Sequence, residues 1–409
     1  MAMRTIKEKI ARDLYLLRVD DDRTRYFESI WNIPEGVTYN AYLLSTGDKV
    51  LLFDSWKRAY ADRFIELLRE IVDPRDIDCI VVHHMEQDHS GALPKILETN
   101  GNRAEVWGHP LSEWMFKSFY DMSPRFRTLK DGEEIALGEK EIRFVYCPWL
   151  HWPETMMSFM PDDGVLLSGD AFGAFSMPST IFDDDENTSG YYKHVRKYLV
   201  DVIGNYSKHI LNALGKLSEQ RISPKIVAPA HGLVFKNRPE LILDYYSKLA
   251  SGIAEKGKVT VVYDSMYGSV ERGISAAIDE LKKRGANPAV YRFVDVESAD
   301  IGEAVPEIID SQAMIIGAST YENDTFPCMR YMLDLIVDKI KVGKPVLTMA
   351  SHGWGGITAS KIAKRLGEAG FKAVDSVDFR GQPTQVDIER IRKGVGLLLE
   401  EAGQPVQVD

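Results

Sequence analysis

His84-Met85-Glu86-Gln87-Asp88-His89, followed by Ser90-Gly91, sets four metal-capable side chains within six residues. The apolar stretch before it, Asp78 to Val82, reads as a strand that delivers this loop. Side chains at such spacing can diverge from a tight turn and serve two ions about 3.5 Å apart. His83 adjoins His84 and therefore points to the opposite side of an extended backbone, where it reads as support or packing. Three more candidates each follow an apolar run: His151 in Trp149-Leu150-His151-Trp152-Pro153-Glu154, Asp170 in Leu167-Ser168-Gly169-Asp170, and His231 in Ala228-Pro229-Ala230-His231-Gly232. A lone His or Asp of this kind is more often a helix cap or a satisfied core residue. Seven together favour a two-metal site, provided the fold makes them converge.

The spacing is similar to that of metallo-β-lactamase-fold hydrolases, where the pattern reads H-x-H-x-D-H and both ions are usually zinc. Glu86 stands at the second His. A carboxylate is harder and more anionic than imidazole, which tilts the site toward iron or manganese and brings redox chemistry into range. With Glu at that position the chain resembles the flavodiiron proteins, or A-type flavoproteins, whose diiron motif is H-x-E-x-D-H followed by a distant His, Asp and His. The resemblance implies His84, Glu86 and His151 on one iron, Asp88, His89 and His231 on the other, and Asp170 as a bridge. It also implies an α/β architecture: a metallo-β-lactamase-like αββα sandwich followed by a flavodoxin-like doubly wound parallel sheet.

With 409 residues, 44% of them hydrophobic, the chain can fill the cores of two domains. A net charge of −11 argues against nucleic-acid binding, which needs a basic surface. The acidic run Asp183-Asp184-Asp185-Glu186 reads as a solvated loop, with a docking patch for a basic electron carrier as the minority reading. Cys79, Cys147 and Cys328 form no C-x-x-C pair, which excludes a rubredoxin module or an ordinary iron-sulfur cluster, and they read as small buried hydrophobes. Electrons must then come from outside. The N-terminal stretch is charged and lacks a signal-peptide core, and no run approaches a membrane span, so a cytoplasmic protein without membrane partners is expected.

Strands are expected at Asp13 to Val19, in a hairpin over Ala41 to Asp54 around Thr46-Gly47-Asp48, and at Ile142 to Tyr146, Met156 to Met160, Val165 to Ser168 and Lys225 to Ala228. An amphipathic helix is expected over Tyr60 to Val72. A helical segment from Tyr245 to Lys256 ends at Gly257, and the pattern then becomes β-α-β with continuous apolar strands. The expected domains are therefore 1–253, carrying the metal site, and 254–409. In the second, strands are expected at Lys258 to Tyr263, Ala289 to Val294, Ala313 to Gly317, Pro345 to Ala350 and Ala373 to Phe379. Helices fall at Val270 to Arg284, Met329 to Lys341 and Thr358 to Ala369.

The first strand of this second domain runs into Asp264-Ser265-Met266-Tyr267-Gly268-Ser269-Val270, a small-residue loop opening a helix. Backbone N–H groups and the hydroxyls of Ser265 and Ser269 can cradle a phosphate there, with Gly268 allowing close approach. The loop resembles the flavodoxin phosphate loop, except that Val270 replaces the usual Thr. Two later strand ends, Ala318-Ser319-Thr320-Tyr321-Glu322-Asn323 and Ser351-His352-Gly353-Trp354-Gly355-Gly356, are suited to walling a flavin ring at the switch point of a doubly wound sheet. No G-x-G-x-x-G occurs in the phosphate loop, so FMN is expected over NAD or FAD.

The resemblance implies reduction of dioxygen to water, of nitric oxide to nitrous oxide, or of both, at two irons fed through FMN. It also implies a head-to-tail homodimer, or a dimer of such dimers, that brings the FMN of one chain near the irons of its partner. Rubredoxin, reduced F420 and a nicotinamide-dependent reductase all serve as donors within the family, and the short form without fused rubredoxin leans toward reduced F420. Tyr26, Trp152 and Tyr192 are candidate pocket residues. The rival classes are a zinc hydrolase fused to a flavodoxin domain, and a flavin carrier or sensor with structural metals. Glu86 argues against the first, and the paired site against the second.

Overall fold

A computed structural model describes residues 4–184 and 188–403. The chain divides into two compact units, Met1–Leu199 with Lys208–Ser247, and Val200–Ser207 with Lys248–Asp409.

The first unit holds two sheets. One orders its seven strands Thr5–Ala11, Leu14–Asp21, Val37–Ser45, Val50–Phe53, Cys79–Val82, Glu105–Gly108 and Phe126–Thr128. Neighbours are antiparallel as far as Val50–Phe53 and parallel beyond it. The other orders Glu134–Leu137, Lys140–Tyr146, Met156–Met160, Val165–Gly169 and Ile226–Pro229, with only the last pair parallel. Leu16, Leu44, Phe53 and Val81 of the first sheet share one core with Phe144, Met156, Leu167 and Ala228 of the second. Alternation puts these residues on one face of each strand. Parallel pairing aligns the carboxyl ends of Cys79–Val82 and its neighbours, and Val165–Gly169 is likewise in parallel with Ile226–Pro229. Loops leaving these ends carry His84, Asp170 and His231.

The second unit is a sheet ordered Glu297–Ser298, Asn287–Val294, Lys258–Ser265, Ala313–Tyr321, Pro345–His352 and Lys372–Arg380, with Asp324–Thr325 paired to Ala313–Tyr321. Its five long strands are all parallel. Among these five, the sequential order 2-1-3-4-5 reverses beside the first strand, which creates a crevice beyond the strand ends. Helices Ser269–Lys283 and Gln385–Ala402 bury Val270, Ile274, Ile391 and Val395 against Val261, Ile315 and Leu347 of the sheet.

Several boundaries differ from the sequence reading. The helix expected to run to Lys256 is Pro239–Ala250, starting at a proline whose missing N–H costs nothing in a first turn. It ends before Gly252, whose φ of 67° is a conformation a side chain resists. Val200–Ser207, inside the expected first domain, groups with the second unit; Val200, Val202 and Ile203 are buried, and Lys339 Nζ donates to the Asp201 carbonyl at 2.6 Å. Asp183, expected in a solvated loop, is buried and accepts the backbone N–H groups of Lys236, Asn237 and Arg238. Asp184 is exposed, and Asp185 and Glu186 lie outside the described residues. Cys79 and Cys147 are buried, whereas Cys328 is only partly so. Among the described residues no helix is long and apolar enough to cross a membrane.

Candidate metal centre

Seven side chains, four from one short segment and three from separate loops, meet at the strand ends of the first unit. His84, Glu86, His151 and Asp170 form one group of potential ligands, and Asp88, His89 and His231 a second; within each, the ligand atoms lie within 4.8 Å of one another. Asp170 reaches both. Its Oδ1 is 2.9 Å from His89 Nε2 and 3.2 Å from His231 Nε2, while its Oδ2 is 3.4 Å from His151 Nε2 and 3.7 Å from His84 Nε2. Glu86 Oε2 is 2.9 Å from His151 Nε2 and 3.3 Å from His84 Nε2.

Both carboxylate oxygens of Asp88, Asp170 Oδ2, His89 Nε2 and His231 Nε2 are buried with no hydrogen-bond partner among the described residues. Such orphaned lone pairs are costly unless a cation takes them, so the residues present fit a pair of metal ions. The electrostatics agree. Burial works to lower the imidazoles of His84 and His151, but the carboxylates around them prevail and push these groups up to about 9 and about 10. Burial likewise works to raise Glu86 and Asp170, and the surrounding histidines hold both well below the usual carboxylate range. The site is built to concentrate positive charge.

Two of the candidate imidazoles are held from behind. His84 Nδ1 is 2.7 Å from Glu154 Oε1, and His231 Nδ1 is 2.7 Å from the Thr38 carbonyl oxygen. These partners leave Nε2 of each ring facing the cluster, the arrangement that orients metal-bound imidazoles. Tyr198, fully buried, donates from its hydroxyl to Asp170 Oδ1 at 2.8 Å. His83 lies outside both groups: its nitrogens meet Asp54 Oδ2 at 2.6 Å and Ser158 Oγ at 2.7 Å, and its ring stacks on Phe53.

Of the three expected pocket residues, the structure brings one to the cluster. The Trp152 ring lies edge-on to His84, with centroids 4.8 Å apart. Tyr26 is half exposed beside Arg25, and its neighbour Phe27 turns inward, 6.2 Å from the His231 ring. Tyr192 faces Tyr245 and lines a different cleft, with Asp183, Thr188 and Arg238. A cleft of about 340 Å³ lined by Phe27, Lys57, Glu86 and Asp88 reaches the cluster from the surface.

In the second unit the three expected flavin loops leave adjacent strands. Gly268 takes φ 80° and caps the Ser269–Lys283 helix, while an added Cβ would meet nothing within 4 Å, so conformation rather than space demands glycine. Ser265 Oγ accepts the Glu271 N–H, Ser269 Oγ accepts from the Gln382 amide, and Met266 N–H donates to Ser319 Oγ. Val270 is fully buried in the core and has turned away from the loop. Thr320 bonds Thr358, and Asn323 offers its carbonyl to Lys361. Tyr321 is partly exposed and Ser351 half-buried. In the last loop the His352 ring fills the space beside Gly356, where a Cβ would come within 2.1 Å of it, and Gly353 and Gly355 flank Trp354. Tyr267 and Trp354 stand 88% and 84% exposed, so neither ring belongs to the core of the unit.

A family model described as ODP family beta lactamase matches residues 37–232, and the flavodoxin model matches residues 261–394. A flavo di-iron protein variant from Thermotoga maritima is 41% identical, covers 98% of this chain and all of its own, and superimposes with a TM-score of 0.92. The chain belongs to the flavodiiron proteins. Rubredoxin oxygen:oxidoreductase from Desulfovibrio gigas is 26% identical, with 97% of this chain and 98% of that one covered at a TM-score of 0.92. The nitric oxide reductase of Moorella thermoacetica is 28% identical over 89% of this chain and 90% of its own. As a flavodiiron protein the chain is an oxidoreductase whose cofactors are FMN and a pair of irons. Glu154 is then a candidate support of the metal site. Glu154→Gln should weaken iron retention about 10–100-fold, as loss of such partners does elsewhere. Chelator competition checks this, and unchanged retention in a folded variant would remove Glu154 from the account.

Proposed function

We propose that this flavodiiron protein reduces dioxygen to water, taking electrons through FMN from an external donor. The observation that carries the reading is Asp170, one carboxylate with one oxygen toward each ligand group. In this reading His84, Glu86 and His151 would hold one iron, Asp88, His89 and His231 would hold the other, and Asp170 would be shared between the two. Bound irons and FMN supply together the four electrons that take dioxygen to two waters.

The chain's own groups supply the surroundings. Trp152 and Phe27 exclude water beside the imidazoles, and Tyr198 holds a proton 2.8 Å from Asp170 Oδ1. Glu86, Asp88 and Asp170 provide negative charge that favours the oxidised metal pair. Ser265 to Val270 would receive the FMN phosphate, and Ser319 to Asn323 with Ser351 to Gly356 would flank the ring. Since Val270 is buried, backbone groups and the serines would be left to supply the phosphate contacts.

Similarity to the Desulfovibrio gigas enzyme supports oxygen as substrate, and similarity to the Moorella thermoacetica enzyme supports nitric oxide as a second one. Reduced F420 is the proposed donor, with rubredoxin or a nicotinamide-dependent reductase as alternatives. A head-to-tail homodimer is proposed as the working unit, placing each FMN near the partner's irons, and the cytoplasm as its compartment.

Metal and flavin analysis of protein purified without added metal, followed by rapid mixing of the reduced protein with oxygen or nitric oxide, tests the proposal. About two irons and one FMN per chain are expected, with oxygen consumed and no peroxide released. Two zincs would point to the hydrolase reading, substoichiometric metal to a flavin carrier, and stoichiometric peroxide would overturn the four-electron reaction.

A further inference from the structure

We propose that Asp264 couples phosphate binding in the flavin loop to proton uptake, its buried carboxyl holding a proton more tightly when the FMN phosphate is bound. The inference rests on the FMN reading above. Asp264 is 1% exposed and immediately precedes Ser265, the last residue of the Lys258–Ser265 strand, where the chain enters the phosphate loop. Both of its oxygens lie on one donor, the Ser319 backbone N–H, at 3.1 and 3.2 Å. Ser319 in turn accepts the Met266 N–H of the loop on its hydroxyl at 3.3 Å. Carboxyl, Ser319 and phosphate loop thus form one continuous set of contacts, and among the described residues no Lys, Arg or His forms an ion pair with Asp264.

The groups packed around it offer no compensating charge. The Asn287–Val294 strand places Phe293 in register with Asp264. The Ala313–Tyr321 strand contributes Ser319. The Ser269–Lys283 helix carries Glu271, whose carboxylate is engaged by the Tyr263 hydroxyl at 3.3 Å. The Pro327–Lys339 helix brings Cys328, a thiol pushed up to about 11 by burial and then by Asp264 itself. Burial raises the Asp264 carboxyl to about 7, although the Ser319 hydrogen bonds work the other way. A phosphate dianion drawn to the adjacent loop adds like charge and raises it further.

The sign follows from linkage. Below about pH 7 the acid form already prevails, and binding takes up no proton at this group. Above that value the free protein is ionised while the complex stays protonated, so affinity falls by up to about tenfold per pH unit until the carboxyl of the complex also ionises. The phosphate's own second ionisation lies near pH 6, so a window from about pH 7 to 9 isolates the effect.

Full-length apoprotein titrated with FMN and with riboflavin across that window, by quenching of flavin fluorescence, reads it directly. FMN affinity should fall with rising pH while riboflavin affinity stays level. Asp264→Asn should flatten the FMN curve and bind FMN more tightly than wild type at the alkaline end. Parallel FMN and riboflavin curves, or an Asn variant that keeps the slope, would overturn the proposal. If the variant does not fold, the two wild-type curves decide alone. Absence of FMN binding at every pH would instead sink the flavin assignment, and this inference with it.

Discussion

Asp170→Ala strips both irons in one step and leaves FMN in place. The expectation follows from geometry: Asp170 lies within reach of both ligand groups, 2.9 and 3.2 Å from His89 and His231 and 3.4 and 3.7 Å from His151 and His84. Removing an outer support of a ligand costs about 10–100-fold in metal affinity, and removing a ligand common to both ions should exceed that for each. The flavin loops belong to the other compact unit, so their contacts survive. Iron per chain, FMN per chain and oxygen turnover measured on the same preparation check the result. Iron and turnover should fall together toward zero at unchanged FMN. A variant that keeps a magnetically coupled iron pair would refute the bridging role.

Glu86→His should exchange the metal. The substitution restores the H-x-H-x-D-H spacing and removes one of three carboxylates, replacing a hard anionic donor by a neutral, softer one. Glu86 also helps hold charge on His84 and His151, at 3.3 and 2.9 Å, so its loss weakens the pull for cations in the first group. Zinc should displace iron in protein grown with both metals, with oxygen reduction lost. Elemental analysis and turnover decide. Two irons and retained turnover would mean that metal choice is set elsewhere in the site.

The metal motif was legible because four of its members lie within six residues, and the other three each follow an apolar run. The parallel sheet was legible for the same reason, since strands buried on both faces read as unbroken apolar runs. What the sequence hid were partners made only by folding. Glu154 sits in the same short segment as His151, but its engagement with His84 requires two loops to meet. Tyr198 joins Asp170 through a helix face that no local pattern marks, and the sequence reading names Tyr192, six residues earlier, in its place. Tyr26 and Phe27 are adjacent, and which of them faces inward is settled by strand register. The Ile301–Ile309 helix was not anticipated: Pro306 inside it reads as a breaker, yet the helix is short and buries Val305, Ile308 and Ile309.

The two ligand groups draw on segments that lie far apart along the chain. His84 to His89 come from one short stretch, whereas Asp170 and His231 leave the Val165–Gly169 and Ile226–Pro229 strands, which pair with each other in parallel. The pocket therefore cannot exist before those distant strands have met, and metal capture is tied to completion of the first unit's fold rather than to any local turn.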